Sequence, residues 1–325
     1  MFSVLSVFSV SCFKLRDMKK IVISEFMDAP AVERLKAKFD VDYRPRLVDD
    51  PAALQAALGT AHAWIVRNRT QVRGAPLESA RALRVVGRLG VGLDNIDQAA
   101  CRARGIEVIP ATGANAQSVA EYVVAMAMVL LRGAYLSTGE VAAGRWPRQA
   151  LGEGREAGGK TIGLVGFGSI GRLTARMAAA LGMHPIAYDP MIGAGDTAWR
   201  EESTGRRELD ALLAESDVVS LHLPLTPDTK GLLGAERLRR MKRGAVLVNT
   251  ARGGIVDEAA LAALLRDGHL GGAALDVFDA EPLPAGSPLA GAPRLVLTPH
   301  IAGVTLESNE RVSSVIAERV AQALE

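Results

Sequence analysis

The chain has 325 residues, 49% of them apolar, and a formal net charge of +2. That is material for about two buried cores, and the absence of any basic run excludes an electrostatic footprint for nucleic acid or an anionic membrane. Two cysteines, Cys12 and Cys101, stand outside any C-x-x-C or Cys/His cluster, which excludes a disulfide framework and a structural zinc and fits a reducing, cytoplasmic setting. Residues 1–17 hold an apolar run without a basic n-region before it or a small-residue cleavage site after it, so they do not read as a secretory signal. Because Met18-Lys-Lys-Ile-Val-Ile opens like a first strand, residues 1–17 are expected to be a disordered extension from an upstream start. Strands and helices then alternate. Strand-like runs at 20–25, 41–43, 63–67, 84–88 and 107–110 are separated by helical patterns such as 31–39 and 51–58. The apolar stretch 119–131 is interrupted by Glu121 and is shorter than the ~20 residues a bilayer requires. A helix at 118–132 is nevertheless apolar nearly all round, which predicts an interdomain or dimer element. A second series of strands follows at 161–165, 185–189, 217–223, 245–249, 274–277 and 295–298, six in all. Residues 308–324 repeat apolar positions at helical spacing and are expected to pack back on the first domain.

Residues 161–171, Thr-Ile-Gly-Leu-Val-Gly-Phe-Gly-Ser-Ile-Gly, run from an apolar strand into three glycines at G-x-G-x-x-G spacing. Gly166 suits the tight strand-to-helix turn, Gly168 lets a pyrophosphate approach bare backbone, and Gly171 lets the helix pack closely on the strand. The helix start at Ser169 and Ile170 offers N–H groups to the phosphates. The next strand ends in Asp189 about 20 residues downstream, placed to accept hydrogen bonds from the adenosine ribose hydroxyls. Pro190 and Met191 follow where an arginine for a 2′-phosphate would stand, so NAD is expected rather than NADP.

Three motifs sit at the ends of later strands, where ligands bind in open α/β sheets. They are Asn249-Thr-Ala-Arg252-Gly-Gly, Ala274-Leu-Asp276-Val-Phe-Asp-Ala-Glu281-Pro and Thr298-Pro-His300-Ile-Ala-Gly303. Singly each has a plain structural explanation: a solvated arginine, a turn-opening Glu-Pro, a structural histidine. On successive strand ends they can meet over one nicotinamide.

In this order, Gly-Phe-Gly-Ser-Ile-Gly, Asn-Thr-Ala-Arg-Gly-Gly, Asp-Val-Phe…Glu-Pro and Thr-Pro-His resemble the D-isomer-specific 2-hydroxyacid dehydrogenases, and the resemblance runs from residue 18 to the end. It implies that Arg252 holds the substrate carboxylate and carbonyl oxygen, that His300 exchanges the hydroxyl proton and that Glu281 hydrogen-bonds His300. It also implies that Asp276 contacts the nicotinamide carboxamide, that Thr250 and Ala251 line its pocket, and that Leu223 and Pro224 border the adenosine. His222, in Leu-His-Leu-Pro, reads as packing beside the cofactor. The related formate dehydrogenases carry glutamine where Glu281 stands, which sets that branch aside. The chemistry asks for the same residue types. Histidine is the side chain whose ordinary pKa lies nearest neutrality, a carboxylate on its other nitrogen fixes the tautomer, and guanidinium grips a carboxylate in two places.

In the first domain, Gly90-Val-Gly92-Leu-Asp-Asn95 is a Gly-rich loop after a strand. The N–H groups of Val91 and Gly92 suit an anion-binding concavity for the substrate carboxylate. Val66-Arg67-Asn68-Arg69-Thr70 puts two guanidiniums at i and i+2 past a strand, on one side of an extended backbone. It resembles the Arg-Ser-Arg-Thr stretch by which some phosphoglycerate dehydrogenases hold an anionic tail; the alternative is two solvated loop arginines. With Ile23-Ser-Glu-Phe-Met-Asp, the stretch is also similar to sulfolactate dehydrogenases.

The expectation is an α/β protein of two lobes with a cleft between them. One is a flavodoxin-like substrate lobe, residues 18–114 completed by 300–325; the other is a Rossmann-type doubly wound parallel sheet for NAD, residues 115–299. The expected activity is NAD-dependent interconversion of a 2-hydroxy acid and its 2-oxo acid, the acid carrying a second anionic group as sulfolactate and 3-phosphoglycerate do. The alternatives are a glyoxylate or hydroxypyruvate reductase and a non-enzymatic NAD(H)-sensing corepressor of the same fold. The resemblance further implies a homodimer through 119–132. No metal, nucleic acid or membrane partner is expected.

Overall fold

The computed structural model describes residues 18–325; the extension expected over 1–17 lies outside them. The described chain divides into two compact units, one running to Asn115 and including Val304–Glu325, the other spanning Ala116–Gly303. The first unit holds β1 (Lys20–Ile23), β2 (Asp40–Tyr43), β3 (Ala63–Val66), β4 (Val85–Arg88) and β5 (Glu107–Pro110). They form one parallel sheet in the order β2-β1-β3-β4-β5, the flavodoxin-like order. Both faces of this sheet are covered, which is why its strands read as continuous apolar runs. Ile21 and Ile23 of β1 enter one core with Ile65 and Val85, while Val22 enters another with Trp64 and Val86. The final helix, Leu306–Leu324, starts at Thr305, whose hydroxyl accepts the Ser308 N–H. Its Ile316 and Val320 press on β4 at Gly87, where a Cβ would collide with both.

The second unit holds β6 (Thr161–Val165), β7 (His184–Tyr188), β8 (Gly205–Arg206), β9 (Val218–Leu221), β10 (Val246–Asn249), β11 (Gly272–Leu275) and β12 (Leu295–Leu297). All pair in parallel, in the order β12-β11-β10-β9-β6-β7-β8. Seven strands stand where six are expected, because β8 is two residues long and too short for periodicity to register. The strand order reverses between β6 and β9, the topological switch point outside which α/β sheets bind their ligands. The helix Ala116–Arg132 lies under this sheet, burying Val119, Val123, Ala127, Leu130 and Leu131 with Ile162, Leu164, Val246 and Val248. Its apolar character is therefore mostly that of a core helix. Among the described residues no single helix is long and apolar enough to cross a membrane.

At the switch point His222 follows β9, its N–H donating to Val165 O at 2.7 Å. The residue is only partly covered, but both ring nitrogens are sealed and lack a hydrogen-bond partner. Burial pushes the imidazole pKa down to about 4 from 6.5, so the folded protein holds it neutral. Above pH 6.5 the ring is neutral in both folded and unfolded chains. As pH falls from about 6.5 to about 4 the unfolded chain takes a proton that the folded one refuses, and stability drops. A span of about 2.5 pH units at about 1.4 kcal/mol each sets a ceiling on the order of 3 kcal/mol. His222→Gln should therefore lose less stability than the parent between pH 7 and pH 4.5 in urea unfolding, each protein referenced to itself at pH 7; parallel losses would show that another group carries the acid sensitivity.

Candidate active site

The three glycines after β6 are each required for a different reason. At Gly166 φ is +99°, and a Cβ there would run into the His222 carbonyl. At Gly171 a Cβ would strike the Gly166 carbonyl, so the helix Ser169–Ala180 lies tight on its strand. At Gly168 the backbone is ordinary and a Cβ would meet nothing within 4 Å. The protein's own packing does not require that third glycine, whereas an approaching pyrophosphate does. Gly168 is also the N-cap of a 12-residue helix with no side-chain cap, so the Ser169 and Ile170 N–H groups at its start can serve an anion.

Asp189 lies just past β7 beside this loop. Its oxygens accept from Phe167 N at 2.8 Å and Met191 N at 2.9 Å. Phe167 in turn stacks on Trp199, ring centroids 4.9 Å apart. Leu223 and Pro224 leave β9, the Pro224 carbonyl accepting from the Thr229 hydroxyl at 2.6 Å. Past β10, the Thr250 hydroxyl is buried without a partner, and a sealed polar atom of this kind calls for a ligand group. Ala251 beside it is buried, its N–H donating to Asn249 Oδ1 at 3.0 Å. A bare glycine, an uncapped helix start, a fixed acid and an orphan hydroxyl at one sheet end together fit a dinucleotide.

Arg252, Glu281 and His300 follow three neighbouring strands, β10, β11 and β12. Asn249, 2% exposed, builds the first turn by donating from Nδ2 to the Arg252 carbonyl at 3.0 Å. The Arg252 guanidinium donates from Nη1 to Ala251 O at 2.6 Å. Gly253 touches the β11 loop so closely that a Cβ would enter the Phe278 carbonyl. Glu281 accepts from Phe278 N at 3.1 Å through Oε1, and its Oε2 lies 2.7 Å from His300 Nδ1. The structure therefore brings Glu281 and His300 into direct contact.

The resemblance assigns Asp276 to the nicotinamide carboxamide, but in the structure both its oxygens are occupied by the His300 loop. Asp276 is 1% exposed. Its Oδ1 accepts from the Thr298 hydroxyl at 2.6 Å and Ile301 N at 2.8 Å, and its Oδ2 accepts from Ala302 N at 2.8 Å. The Tyr122 hydroxyl lies 2.7 Å from the Thr298 oxygen. Thr298 has one proton and gives it to an acceptor-only carboxylate, so Tyr122 is the donor in that contact. Burial raises the Tyr122 pKa, the Thr298 hydrogen bond opposes the rise and Asp276 adds to it; the phenol stays protonated. Tyr122 and the structural role of Thr298 escape a reading by motif, because the tyrosine comes from a distant helix and the threonine reads as mere context for His300.

In the first unit the expected geometry of Arg67 and Arg69 is corrected. The chain bends after Val66, over 68–70, so the extended-backbone argument for parallel guanidiniums does not hold. The Glu25 carboxylate, 4% exposed, causes the bend: it accepts the N–H groups of Arg67, Arg69 and Thr70 at 2.8, 3.1 and 3.0 Å. Arg67 Nη2 donates to Asn309 Oδ1 at 2.7 Å, and its guanidinium lies 5.8 Å from the Phe26 ring centre. Arg69 instead pairs with Asp49 at 2.5 Å, and its hydrogen bond holds the Asp49 carboxyl below its usual range. Val91 and Gly92 stand in the exposed loop after β4. Among the described residues no group of three or more His, Cys, Asp or Glu side chains is placed to hold a metal ion.

The family model for the NAD binding domain of D-isomer specific 2-hydroxyacid dehydrogenases matches residues 124–302. The chain is 55% identical over 307 residues to (S)-sulfolactate dehydrogenase from Chromohalobacter salexigens, covering 94% of this chain and 99% of that one. It is 40% identical to D-3-phosphoglycerate dehydrogenase from Mycobacterium leprae, covering 95% of this chain but only 57% of that longer relative. D-lactate dehydrogenase from Aquifex aeolicus, solved with NAD and lactic acid, superposes with a TM-score of 0.82 at 28% identity, covering 94% of this chain and 95% of that one. With the glycine loop, the orphan Thr250 hydroxyl and the Glu281–His300 contact at one sheet end, the chain belongs to the D-isomer specific 2-hydroxyacid dehydrogenases, NAD-dependent oxidoreductases that interconvert a 2-hydroxy acid and its 2-oxo acid.

Proposed function

We propose that the acid carries a second anionic group, that sulfolactate and sulfopyruvate are the physiological pair, and that Arg67 receives the sulfonate. The observation that carries this reading is the Arg67 guanidinium, steadied by a neutral amide and an aromatic ring. The 55% identity to a sulfolactate dehydrogenase supports it.

When bound, NAD supplies the hydride acceptor for alcohol oxidation. His300 takes the hydroxyl proton at Nε2. Its Nδ1 faces the Glu281 carboxylate at 2.7 Å, and a carboxylate only accepts, so the Nδ1 proton stays and the Nε2 lone pair is free to act. The imidazolium that forms lies against the Glu281 charge. Arg252 grips the substrate carboxylate with its planar fork. Ser169 and Ile170 hold the pyrophosphate, Asp189 the ribose, Leu223 and Pro224 the adenosine side, and Thr250 and Ala251 the nicotinamide side. Asp276 acts one step back, through the loop that carries His300.

The protein is assigned to the cytoplasm on its sparse cysteines. A homodimer through the second unit is supported by exposed apolar side chains along and after the helix Ala116–Arg132: Met128, Tyr135, Leu136, Val141 and Trp146, the last 77% exposed. Trp146→Asp should shift the mass in multi-angle light scattering from twofold to single-chain; a monomeric parent protein would end the dimer assignment. His300→Ala should slow turnover about 10²- to 10⁴-fold, followed by nicotinamide absorbance, if proton transfer is its role; an unchanged rate would remove it from the chemistry. A charge-assisted hydrogen bond is worth roughly 1.5–3 kcal/mol, so Arg67→Ala should lower kcat/KM for sulfopyruvate about 10- to 100-fold relative to that for hydroxypyruvate. Equal losses on both acids would make Arg67 structural and reopen the choice of substrate.

A further inference from the structure

Glu25 has no place in the chemistry described above, yet it is among the most heavily engaged side chains in the first unit. It follows β1 at the same sheet end at which β3 delivers Arg67, and it is 4% exposed. Its Oε2 accepts from Arg67 N at 2.8 Å and from Thr70 N at 3.0 Å, and its Oε1 accepts from Arg69 N at 3.1 Å. The other side of the same turn is held by Asn95, whose Nδ2 donates to the Arg67 and Thr70 carbonyls at 3.0 and 2.7 Å. The Thr70 hydroxyl lies 3.1 Å from that of Ser24, which in turn accepts from Trp64 Nε1 at 3.1 Å. Three N–H groups and two carbonyls of a four-residue turn are therefore satisfied by side chains rather than by water. Loops that only connect elements usually run over the surface, where water satisfies their backbone.

We propose that Glu25 is a specificity-determining positioning residue, whose buried carboxylate bends residues 67–70 so that Arg67 is presented to the anionic tail of the substrate. This rests on the reading of Arg67 as the tail's partner. The carboxylate is suited to the task because it has two oxygens and about four lone-pair directions, all accepting. A glutamine of the same shape has one accepting oxygen and turns an NH2 toward a backbone N–H, so one face of the turn becomes donor against donor. Arg67 then loses its backbone anchor, and the strain of the loosened turn is passed to the Asn309 and Phe26 contacts that hold the guanidinium, so its direction is no longer fixed.

Two effects of Glu25→Gln oppose each other, and their signs differ. Removing a negative charge near Arg67 makes the surroundings more attractive to an anion, which by itself would lower KM for a sulfonate-tailed acid. Unbending the turn raises it. The proposal is that geometry wins. The experiment compares parent, Glu25→Gln, Arg67→Ala and the double variant on sulfopyruvate and hydroxypyruvate, with NADH quenching of tryptophan fluorescence confirming an intact second unit. The ratio of kcat/KM for sulfopyruvate to that for hydroxypyruvate should fall about 10-fold in Glu25→Gln, through KM, the loss expected for one charge-assisted hydrogen bond. The double variant should be no more impaired in that ratio than Arg67→Ala alone, because both act through one contact.

A ratio that rises or stays level in Glu25→Gln while Arg67→Ala lowers it would overturn the role of Glu25 and leave the tail reading standing. A ratio that Arg67→Ala leaves unchanged would overturn both. Should Glu25→Gln not fold, Glu25→Asp keeps the charge on a side chain one methylene shorter and should move the ratio in the same direction. Amide exchange of the parent protein supplies a measurement needing no variant: the Arg67, Arg69 and Thr70 N–H groups should be protected despite lying in a loop, and free exchange there would refute the clamp.

Discussion

The active arrangement depends on one buried carboxylate holding a backbone conformation that the chain would otherwise avoid. His300 has φ +56°, in the left-handed region, and such a residue costs on the order of 1–3 kcal/mol unless its surroundings impose it. Asp276 imposes it. Hydrogen bonds from Thr298, Ile301 and Ala302 converge on its two carboxylate oxygens, and the His300 N–H donates to the Asp276 backbone carbonyl at 2.9 Å. Hydrogen bonds to a charged group contribute roughly 1.5–3 kcal/mol each, so three of them outweigh the strain. Without that backbone turn His300 would have no fixed direction, and its 2.7 Å contact with Glu281 would have nothing to rest on.

The same device recurs at each loop to which the proposed function assigns a ligand. Glu25 follows β1, Asp189 follows β7 and Asp276 follows β11, and each collects N–H groups from a loop just beyond a strand end. A strand that stops leaves N–H groups without ladder partners, and a buried site offers no water to satisfy them. A carboxylate can take several at once, and charge assistance makes the resulting loop stiff. In each case the acid fixes a loop that carries a candidate group: Arg67 in the first, the glycine loop in the second, His300 in the third.

Much of this was legible in the residues alone, and the remainder was hidden for a physical reason. The strands of both units were readable because their faces are both buried, and continuous apolar runs such as Ile21 to Ile23 or Val246 to Val248 carry that signal directly. The glycine loop is readable because Gly166 and Gly171 answer local steric demands and Gly168 completes the spacing of a phosphate-binding turn. β8 is hidden because two residues have no periodicity, and the core packing of the helix Ala116–Arg132 is hidden because a sequence does not say against which surface an apolar stripe lies. Glu25, Tyr122 and Asn309 were invisible as site residues because their partners stand far away in the chain, and such contacts exist only once the fold has formed. The parallel placing of Arg67 and Arg69 failed for the same reason: an i, i+2 rule holds for extended backbone, and a distant carboxylate had already bent it.

That bend separates two arginines that look equivalent in the sequence. Arg69 is paired with Asp49 in an exposed ion pair, its side chain 60% accessible, and such a contact is weak and easily exchanged for another. Arg67 has a neutral amide as its side-chain partner, so among the described residues no carboxylate contacts its guanidinium, and the nearby Glu25 oxygens are directed at backbone N–H groups. Burial pulls the Arg67 pKa down and Glu25 pulls it back, while a guanidinium remains charged throughout the working range. A cation that is partly desolvated, fixed in direction and matched only by a neutral amide gains more from an arriving anion than one already paired in water. On the proposed reading, this asymmetry gives tail recognition to Arg67, while Arg69 stands as a second charge already paired with Asp49.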